Sequence, residues 1–273
     1  MIHTGRNSNP NAVAIIPARY DSSRLPGKPL LEIAGKPLIV WVAERVIEAR
    51  NILRVIVATD DPRIFDAVTS AGFEARMTRM DHASGTDRIA EVARGLDAEI
   101  IVNVQGDEPL ISPDTIDAAI AALVDNDEVE VATTAESMTD ASEVLNRSVV
   151  KVAVDELNYA TDFSRNPIPF PNQAVAKHGS IEAALRNPDE SGLLSLFRKH
   201  TGLYAYRRDF LLEFASWPQS EREREESLEQ LRALDRGVKI KVVDAASQSI
   251  GVDTIEDLER VRAIVASEMK VPA

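Results

Sequence analysis

The stretch RYDSSRLPGKPL, Arg19 to Leu30, follows an apolar run, AVAIIPA, and gathers Arg19, Arg24 and Lys28 around two prolines and a glycine. That many cations at one strand end in an acidic chain call for an anion, and side-chain charges on a proline-stiffened backbone suit a polyphosphate. A solvated basic turn is the plainer alternative. Farther along, NVQGDEP closes an apolar run with Asp107 and Glu108, and SIGVDTIEDLE sets Asp253 before a helical pattern. Mg2+ is usually held by one or two carboxylates together with substrate phosphates, so Asp107 and Asp253 opposite the basic loop form a candidate metal pair. Glu108 competes with Asp107 for that role. Each acid also has an ordinary reading: Asp107 as a turn residue satisfying backbone donors, and Asp253 as a helix N-cap.

Three further groups carry potential chemistry. The small-residue turn ASGTDR, with Ser84 and Gly85, enters a helix and could let a flat base approach the backbone, or Ser84 or Thr86 could simply cap the helix. In FRKHTGLYAY, His200 begins a strand beside Arg198 and Lys199, where it could meet an acidic sugar or be merely exposed. Glu223, Glu226 and Glu229 recur every three residues in EREREESLEQLRAL, which reads as one charged helix with these acids on a shared face. His82 reads as a surface residue.

These residues need elements to hold them. The runs AVAII, LRVIVAT and EIIVNV read as buried parallel strands, alternating with the helical patterns PLIVWVAERVIEA, PRIFDAVTSAG and DRIAEVARGL. A βαβαβ rhythm with right-handed crossovers predicts a three-layer αβα sandwich, in which ligands bind beyond the carboxyl ends of the strands. EVEVATT and DTIDAAIAALV extend it. From Val149 the rhythm shifts to VVKVAV, HTGLYAYRR and VKIKVVD, interrupted by a long polar segment, 172–195. DTIEDLERVRAIVASEM predicts a last amphipathic helix with Asp253 or Thr254 near its cap. We expect a flexible tail over 1–11 and a single domain over 12–273, with an inserted lid or dimerisation region at about 155–235.

Composition narrows the class. The 273 residues hold 31 Lys plus Arg against 44 Asp plus Glu, a net charge of −13, which disfavours nucleic-acid and anionic-membrane partners. With no cysteine, thiolate nucleophiles and thiolate metal sites are excluded, in keeping with a reducing cytoplasm. No apolar run approaches the ~20 residues of a membrane span, and the first eleven residues lack a signal-peptide core. Neither G-x-G-x-x-G nor G-x-x-x-x-G-K-[ST] follows the first strand, which disfavours nicotinamide dehydrogenase and P-loop readings.

Taken together, IIPARYDSSRLPGKPL, VATDD, MTRMDHASGTDRIAEV, IIVNVQGDEPLI, HTGLYAYRRDFL, LEQLRAL and GVDTIEDLERV closely resemble the 3-deoxy-manno-octulosonate (KDO) cytidylyltransferases, from Val13 onward. The resemblance implies a mostly parallel, Rossmann-like sheet of the sugar nucleotidyltransferase type. It also implies synthesis of CMP-KDO and pyrophosphate from CTP and this eight-carbon acid sugar, by a cytoplasmic homodimer serving lipopolysaccharide assembly. By match to the family motifs, Arg19, Arg24 and Lys28 would bind the CTP phosphates, with Arg19 and Lys28 also catalytic. Gln105, Ser84 and Gly85 would contact the cytidine. Asp107 and Asp253 would hold Mg2+. His200, Tyr204, Glu229 and Gln230 would line the sugar side, with Arg165 a candidate for the sugar carboxylate. Departures cluster on the acceptor side: Thr161, Asp162, Phe170, Thr201, Ile255 and the longer segment 172–195. If Asp162 faces the site, it would favour a KDO variant with an amine at its tail. If it points to solvent, KDO itself remains the substrate. A non-catalytic sugar-nucleotide-binding protein is a further alternative, against which the presence of both Asp107 and Asp253 counts.

Overall fold

The first strand shows how the sheet is buried on both sides. Ala12, Ala14, Ile16 and Ala18 point into one core and Val13 and Ile15 into another, the period-2 alternation of a strand sandwiched between helical layers. The computed structural model describes residues 10–21 and 25–269, so Arg24 and most of the expected tail lie outside the described residues. Asn11 is already tied into the fold, accepting from the amides of Glu99 and Ile100 and donating its side-chain amide to the Asp97 carbonyl.

In chain order the first half comprises β1 (Ala12–Ala18), a small hairpin of β2 (Glu32–Ile33) and β3 (Lys36–Pro37), and α1 (Leu38–Ile47). It continues with β4 (Ile52–Thr59), α2 (Pro62–Ser70), β5 (Glu74–Met77), α3 (Gly85–Ala93), β6 (Ile100–Asn103), α4 (Pro113–Val124) and β7 (Val131–Ser137). The second half holds α5 (Ala141–Leu145), β8 (Lys151–Val154), β9 (Ala160–Ser164), α6 (Asn172–His178), α7 (Ile181–Arg186) and β10 (Arg198–Arg207). It ends with α8 (Arg208–Ser216), α9 (Glu221–Glu226), α10 (Gln230–Leu234), β11 (Ile240–Asp244) and α11 (Ile255–Glu268).

The strands form a sheet in the order β11-β7-β10-β6-β1-β4-β5, with β8 attached to β10 and β9 to β8. Pairings β1–β4, β1–β6, β4–β5 and β7–β11 are parallel, and β10 runs antiparallel to β6, β7 and β8. The α/β architecture read from the sequence is thus present, as a mostly parallel sheet between helices. Apolar side chains of α1, α2, α4 and α11 cover one face, and those of α3, α8 and α10 cover the other.

Two features depart from the sequence reading. The strand β10 lies within the stretch expected as an insertion, yet it is a central strand between β6 and β7. Among the described residues, the segment around α5, α6 and α7 stands apart, closing on its own small core of Met138, Val144, Ala174, Ala184, Leu193 and Phe197. The charged helix expected over EREREESLEQLRAL is also two helices, α9 and α10, because Ser227 adopts a left-handed conformation (φ 55°, ψ 49°) that no α-helix can continue through.

Chain direction sets the site. From β1 the chain moves to β4 and β5 on one side, then returns to β6 on the other. The loops after β1 and β6 therefore diverge at a topological switch point, where such sheets bind ligands. Gly106 permits their close approach, since a Cβ there would sit 2.9 Å from the Pro17 carbonyl oxygen. Helix α3 is fixed just beneath. Its Ser84 accepts from the Asp87 amide as N-cap, and Arg88, fully buried, donates to Asp60 at 2.6 Å and to Thr78. Removing one partner of such a pair strands the other charge. We expect R88A to lose about 3 kcal/mol of stability in urea unfolding, and R88M/D60N to recover part of it. Equal losses in the single and double variants would contradict this account of the pair.

Candidate active site

The carboxyl ends of β1 and β6 and the loop before α11 bring three charged groups to one point. Lys28 Nζ donates to Asp107 Oδ2 at 2.7 Å and to Asp253 Oδ1 at 3.1 Å. Burial works against the ammonium, but the two carboxylates outweigh it and hold the Lys28 pKa above its ordinary value. The backbone prepares this contact. Gly27 takes φ 68°, a conformation that glycine adopts without strain, and caps a single 3-10 turn over Lys28–Leu30. Asp253 does not cap α11: Thr254 and Asp257 form the capping box there, and the Asp253 carboxylate turns to Lys28 instead.

Arg19, Lys28, Gln105, Asp107 and Asp253 line one cavity of about 320 Å3. Arg19 is exposed and donates to the His82 carbonyl at 2.8 Å, linking the basic loop to the turn that precedes Ser84 and Gly85. His82 is not an open surface residue as expected; it is half-buried, with its ring against Glu91. Asp107 and Asp253 converge on a single cation within hydrogen-bonding distance, so the pair can also hold a hard cation, and the open cavity leaves room for phosphate oxygens and water to complete its shell. Among the described residues no group of three or more His, Cys, Asp or Glu side chains could hold a metal alone. A metal here would therefore depend on its ligand's oxygens.

A second cavity, about 220 Å3, adjoins the first through Gln105, which lines both. Gly85, His200, Tyr204, Glu229 and Gln230 line it as well. Three polar atoms at its wall, Tyr204 Oη, Glu229 Oε2 and Gln230 Nε2, are buried and have no hydrogen-bond partner among the described residues. Buried polar groups are rarely left so unless a ligand or water completes them. Burial raises the Glu229 pKa against the pull of the Thr86 and Ser84 hydroxyls. The floor is stiff: Tyr204 stacks on Tyr206, and Tyr206 on Phe210 and Phe214, with centroids 5.5 to 6.3 Å apart.

His200 stands over this floor, its ring 5.3 Å from Tyr204 and 5.1 Å from Phe163, with Nε2 2.9 Å from the Thr133 hydroxyl. Burial pushes its pKa down to about 3. The ring is neutral at neutral pH, so it can offer a hydrogen bond and a surface but no charge.

One expected sugar-side residue lies elsewhere, and the open question of Asp162 is answered against a role at the acceptor. Arg165 does not line the cavity; its Nε donates to the Glu226 carbonyl at 2.8 Å and its Nη1 to the Arg147 carbonyl at 3.2 Å. Asp162 is paired with Arg222, which also binds Asp235 at 2.9 Å, so its carboxylate is not turned to an acceptor. The acids Glu223, Glu226 and Glu229 do not share a face either, because the Ser227 turn separates the third from the others. Conversely, Asn103 and Tyr206 line the second cavity without having been singled out. Their signal was present: a polar residue closing the apolar strand IIVN, and a tyrosine two places after Tyr204, hence on the same face of β10. Glu108 binds the Ser249 hydroxyl, and burial raises its pKa to about 7, which makes it a poor rival to Asp107 as a cation ligand. A wider groove of about 720 Å3, between Glu128 and Lys239, contains none of the polar or charged site residues, and Phe210 of the aromatic floor reaches its wall.

Comparison with known proteins places this geometry in context. A cytidylyltransferase family model matches residues 13–240. A 3-deoxy-manno-octulosonate cytidylyltransferase of Geobacter sulfurreducens is 51% identical over 254 residues, spanning 92% of this chain and 98% of its own. The Escherichia coli protein of the same name is 45% identical over 258 residues, spanning 94% and 97%. A solved structure of CMP:2-keto-3-deoxy-manno-octonic acid synthetase complexed with CTP is similar with a TM-score of 0.82 at 44% identity, covering 94% of this chain and 99% of that one.

The neutral state of His200 yields a pH prediction. An unfolded chain protonates histidine near pH ~6.5, whereas the folded protein does so only near 3. The stability this group contributes is therefore intact above about pH 6.5 and is lost as pH falls toward 3, by at most ~1.4 kcal/mol per unit. In H200N that loss disappears. Unfolding free energies of wild type and H200N should converge as pH falls from 7 to 5, and a gap that stays constant would contradict the assignment.

Proposed function

We propose that this chain, which belongs to the 3-deoxy-manno-octulosonate cytidylyltransferases of the cytidylyltransferase family, joins CTP to the anomeric hydroxyl of KDO, giving CMP-KDO and pyrophosphate. The observation that carries this reading is the pair of adjoining cavities that share Gln105. One presents three carboxylates, Asp21, Asp107 and Asp253, with the cations Arg19 and Lys28, and the other presents unsatisfied polar groups over an aromatic floor. The first suits a nucleoside triphosphate with its metal, and the second a polyhydroxylated acid. The relative solved with CTP bound supports the nucleotide half.

The chemistry follows from positions. The sugar oxygen forms a bond to the α-phosphorus as the bond from that phosphorus to the pyrophosphate oxygen breaks, and the hydroxyl proton passes to solvent. Such transfer needs placement and charge stabilisation rather than a covalent intermediate. Asp107 and Asp253 would hold Mg2+, which when bound neutralises phosphate charge and lowers the pKa of an oxygen it touches. Arg19 and Lys28 stabilise the departing pyrophosphate, with Arg24 in the same basic loop. Lys28 must exchange its carboxylate partners for phosphate oxygens as the nucleotide enters. Gln105, which lines both cavities, and Gly85, which lines the second, would contact the cytidine, with Ser84 beside them at the cap of α3. His200, Tyr204, Glu229 and Gln230 receive the sugar, with His200 as a neutral partner. The engagement of Asp162 by Arg222 favours KDO over an amine-bearing analogue.

This reading includes a cytoplasmic homodimer supplying lipopolysaccharide assembly. The lack of any helix long and apolar enough to cross a membrane among the described residues, and the exposed Leu157, Phe170 and Leu196 of the second half, are in keeping with it.

The test is an incubation with CTP, KDO and Mg2+ in which pyrophosphate and CMP-KDO are followed together. Product is expected only when all three are present, and D107N should lose at least ~10²-fold in turnover. UTP should be a much poorer donor, because a pocket built to pair the cytosine amino group leaves polar groups unsatisfied with uracil. Undiminished pyrophosphate release in EDTA would contradict the metal assignment, and equal kcat/KM for CTP and UTP would contradict the base assignment.

A further inference from the structure

Glu229 and Gln230 reach the second cavity from the turn between α9 and α10, and that turn is one the chain does not adopt freely. Ser227 sits at φ 55°, ψ 49°, a left-handed conformation that a residue with a Cβ adopts at a cost and that surrounding contacts must hold in place. The residue before it, Glu226, provides those contacts. Its Oε1 accepts from the Ser164 hydroxyl at 3.3 Å, its Oε2 from the Arg165 amide at 3.2 Å, and its carbonyl from Arg165 Nε at 2.8 Å. The end of β9 is thereby fastened to the end of α9.

The anchor itself is rigid. The Arg165 carbonyl accepts from Lys151 Nζ at 3.0 Å, and this fully buried ammonium also donates to the carbonyls of Asn146 at 2.7 Å and Val149 at 2.8 Å. On the other side of the turn, Glu223 is buried in the capping box of α9 with its carboxylate 3.2 Å from Arg232 of α10. The turn is thus held from both ends, and Glu226 ties it to the end of β9, beside the Arg222–Asp162 pair that joins α9 to the same strand.

We propose that Glu226 is a positioning residue for the acceptor sugar: through Ser164 and Arg165 it fixes the Ser227 turn so that Glu229 and Gln230 face the second cavity. Arg165 then serves the sugar indirectly, by holding Glu226, in place of the direct contact with a carboxylate that its position in the sequence suggested. The inference rests on the sugar-cavity reading above. Glu226 lines neither cavity and bonds none of Arg19, Lys28, Gln105, Asp107 or Asp253, so its removal should act on acceptor use ahead of CTP use.

Two measurements on wild type, E226A, E226Q and S164A decide it. In steady-state kinetics, E226A should raise KM for KDO by at least about tenfold with KM for CTP within about twofold. E226Q, which keeps one carbonyl acceptor for the two donors, should fall between E226A and wild type, and S164A should shift KM for KDO by less in the same direction. In hydrogen–deuterium exchange without ligands, residues 227–231 should exchange faster in E226A than in wild type while 85–93 remain unchanged. The proposal is overturned if KM for KDO is unaltered in E226A, or if both KM values rise together with a lowered thermal midpoint. If wild type makes no CMP-KDO, the functional reading fails, and exchange still decides the clamp: unchanged rates at 227–231 overturn it. Should E226A fail to fold, the comparison of S164A and E226Q with wild type carries the same expected directions and the same overturning results.

Discussion

Two carboxylates far apart in the chain meet on one ammonium, and most of the site depends on that convergence. Asp107 follows β6, Asp253 precedes α11, and Lys28 lies on the loop after β1. Unit charges a few ångströms apart at a protein surface interact by roughly 4 kcal/mol at an effective dielectric of 20. Two acids so close would repel without a cation between them. Strand order places the loops together, Gly106 lets the backbones approach, and Thr254 takes the capping role so that Asp253 can turn inward. A fold that positions these groups around one cation is also suited to exchange that cation for a metal and a polyphosphate.

The acceptor side is built on a different principle. Among the described residues its cavity carries no fixed cation, and it places neutral or partly shielded polar groups over stacked aromatic rings. Burial holds the His200 ring uncharged at neutral pH, and Tyr204, Glu229 and Gln230 retain hydrogen-bonding capacity that the described residues do not use. Unsatisfied buried groups favour a ligand that completes them and penalise one that cannot, which is a basis for selecting among sugars. Positioning is supplied from behind, by the β9–α9 contacts and the Lys151 anchor.

Local pattern carried the fold class and the charged half of the site. Apolar runs of strand length alternating with helical periods imply a layered α/β sheet, and acids or cations just beyond those runs must lie at its carboxyl edge, as Lys28, Asp107 and Asp253 do. The resemblance to KDO cytidylyltransferases added the sugar-side residues His200, Tyr204, Glu229 and Gln230, which share one cavity. What stayed illegible depends on distant partners. The place of β10 between β6 and β7 is a long-range pairing that its own sequence does not encode. EREREE and LEQLRAL are good helix formers throughout, so only tertiary contacts reveal the break at Ser227. Arg165 and Asp162 have side chains able to reach a sugar, and nothing nearby in sequence discloses that Glu226 and Arg222 engage them first.

The account turns on Asp107 and Asp253 acting as a pair toward a divalent cation in the presence of nucleotide. Mn2+ titrated into the protein with CTP present, and followed by electron paramagnetic resonance, measures this without relying on turnover. The account predicts that wild type binds Mn2+ and that D107N and D253N each weaken binding by at least about tenfold, as loss of one of two carboxylate ligands should. Mn2+ bound equally well by wild type and both variants would contradict it.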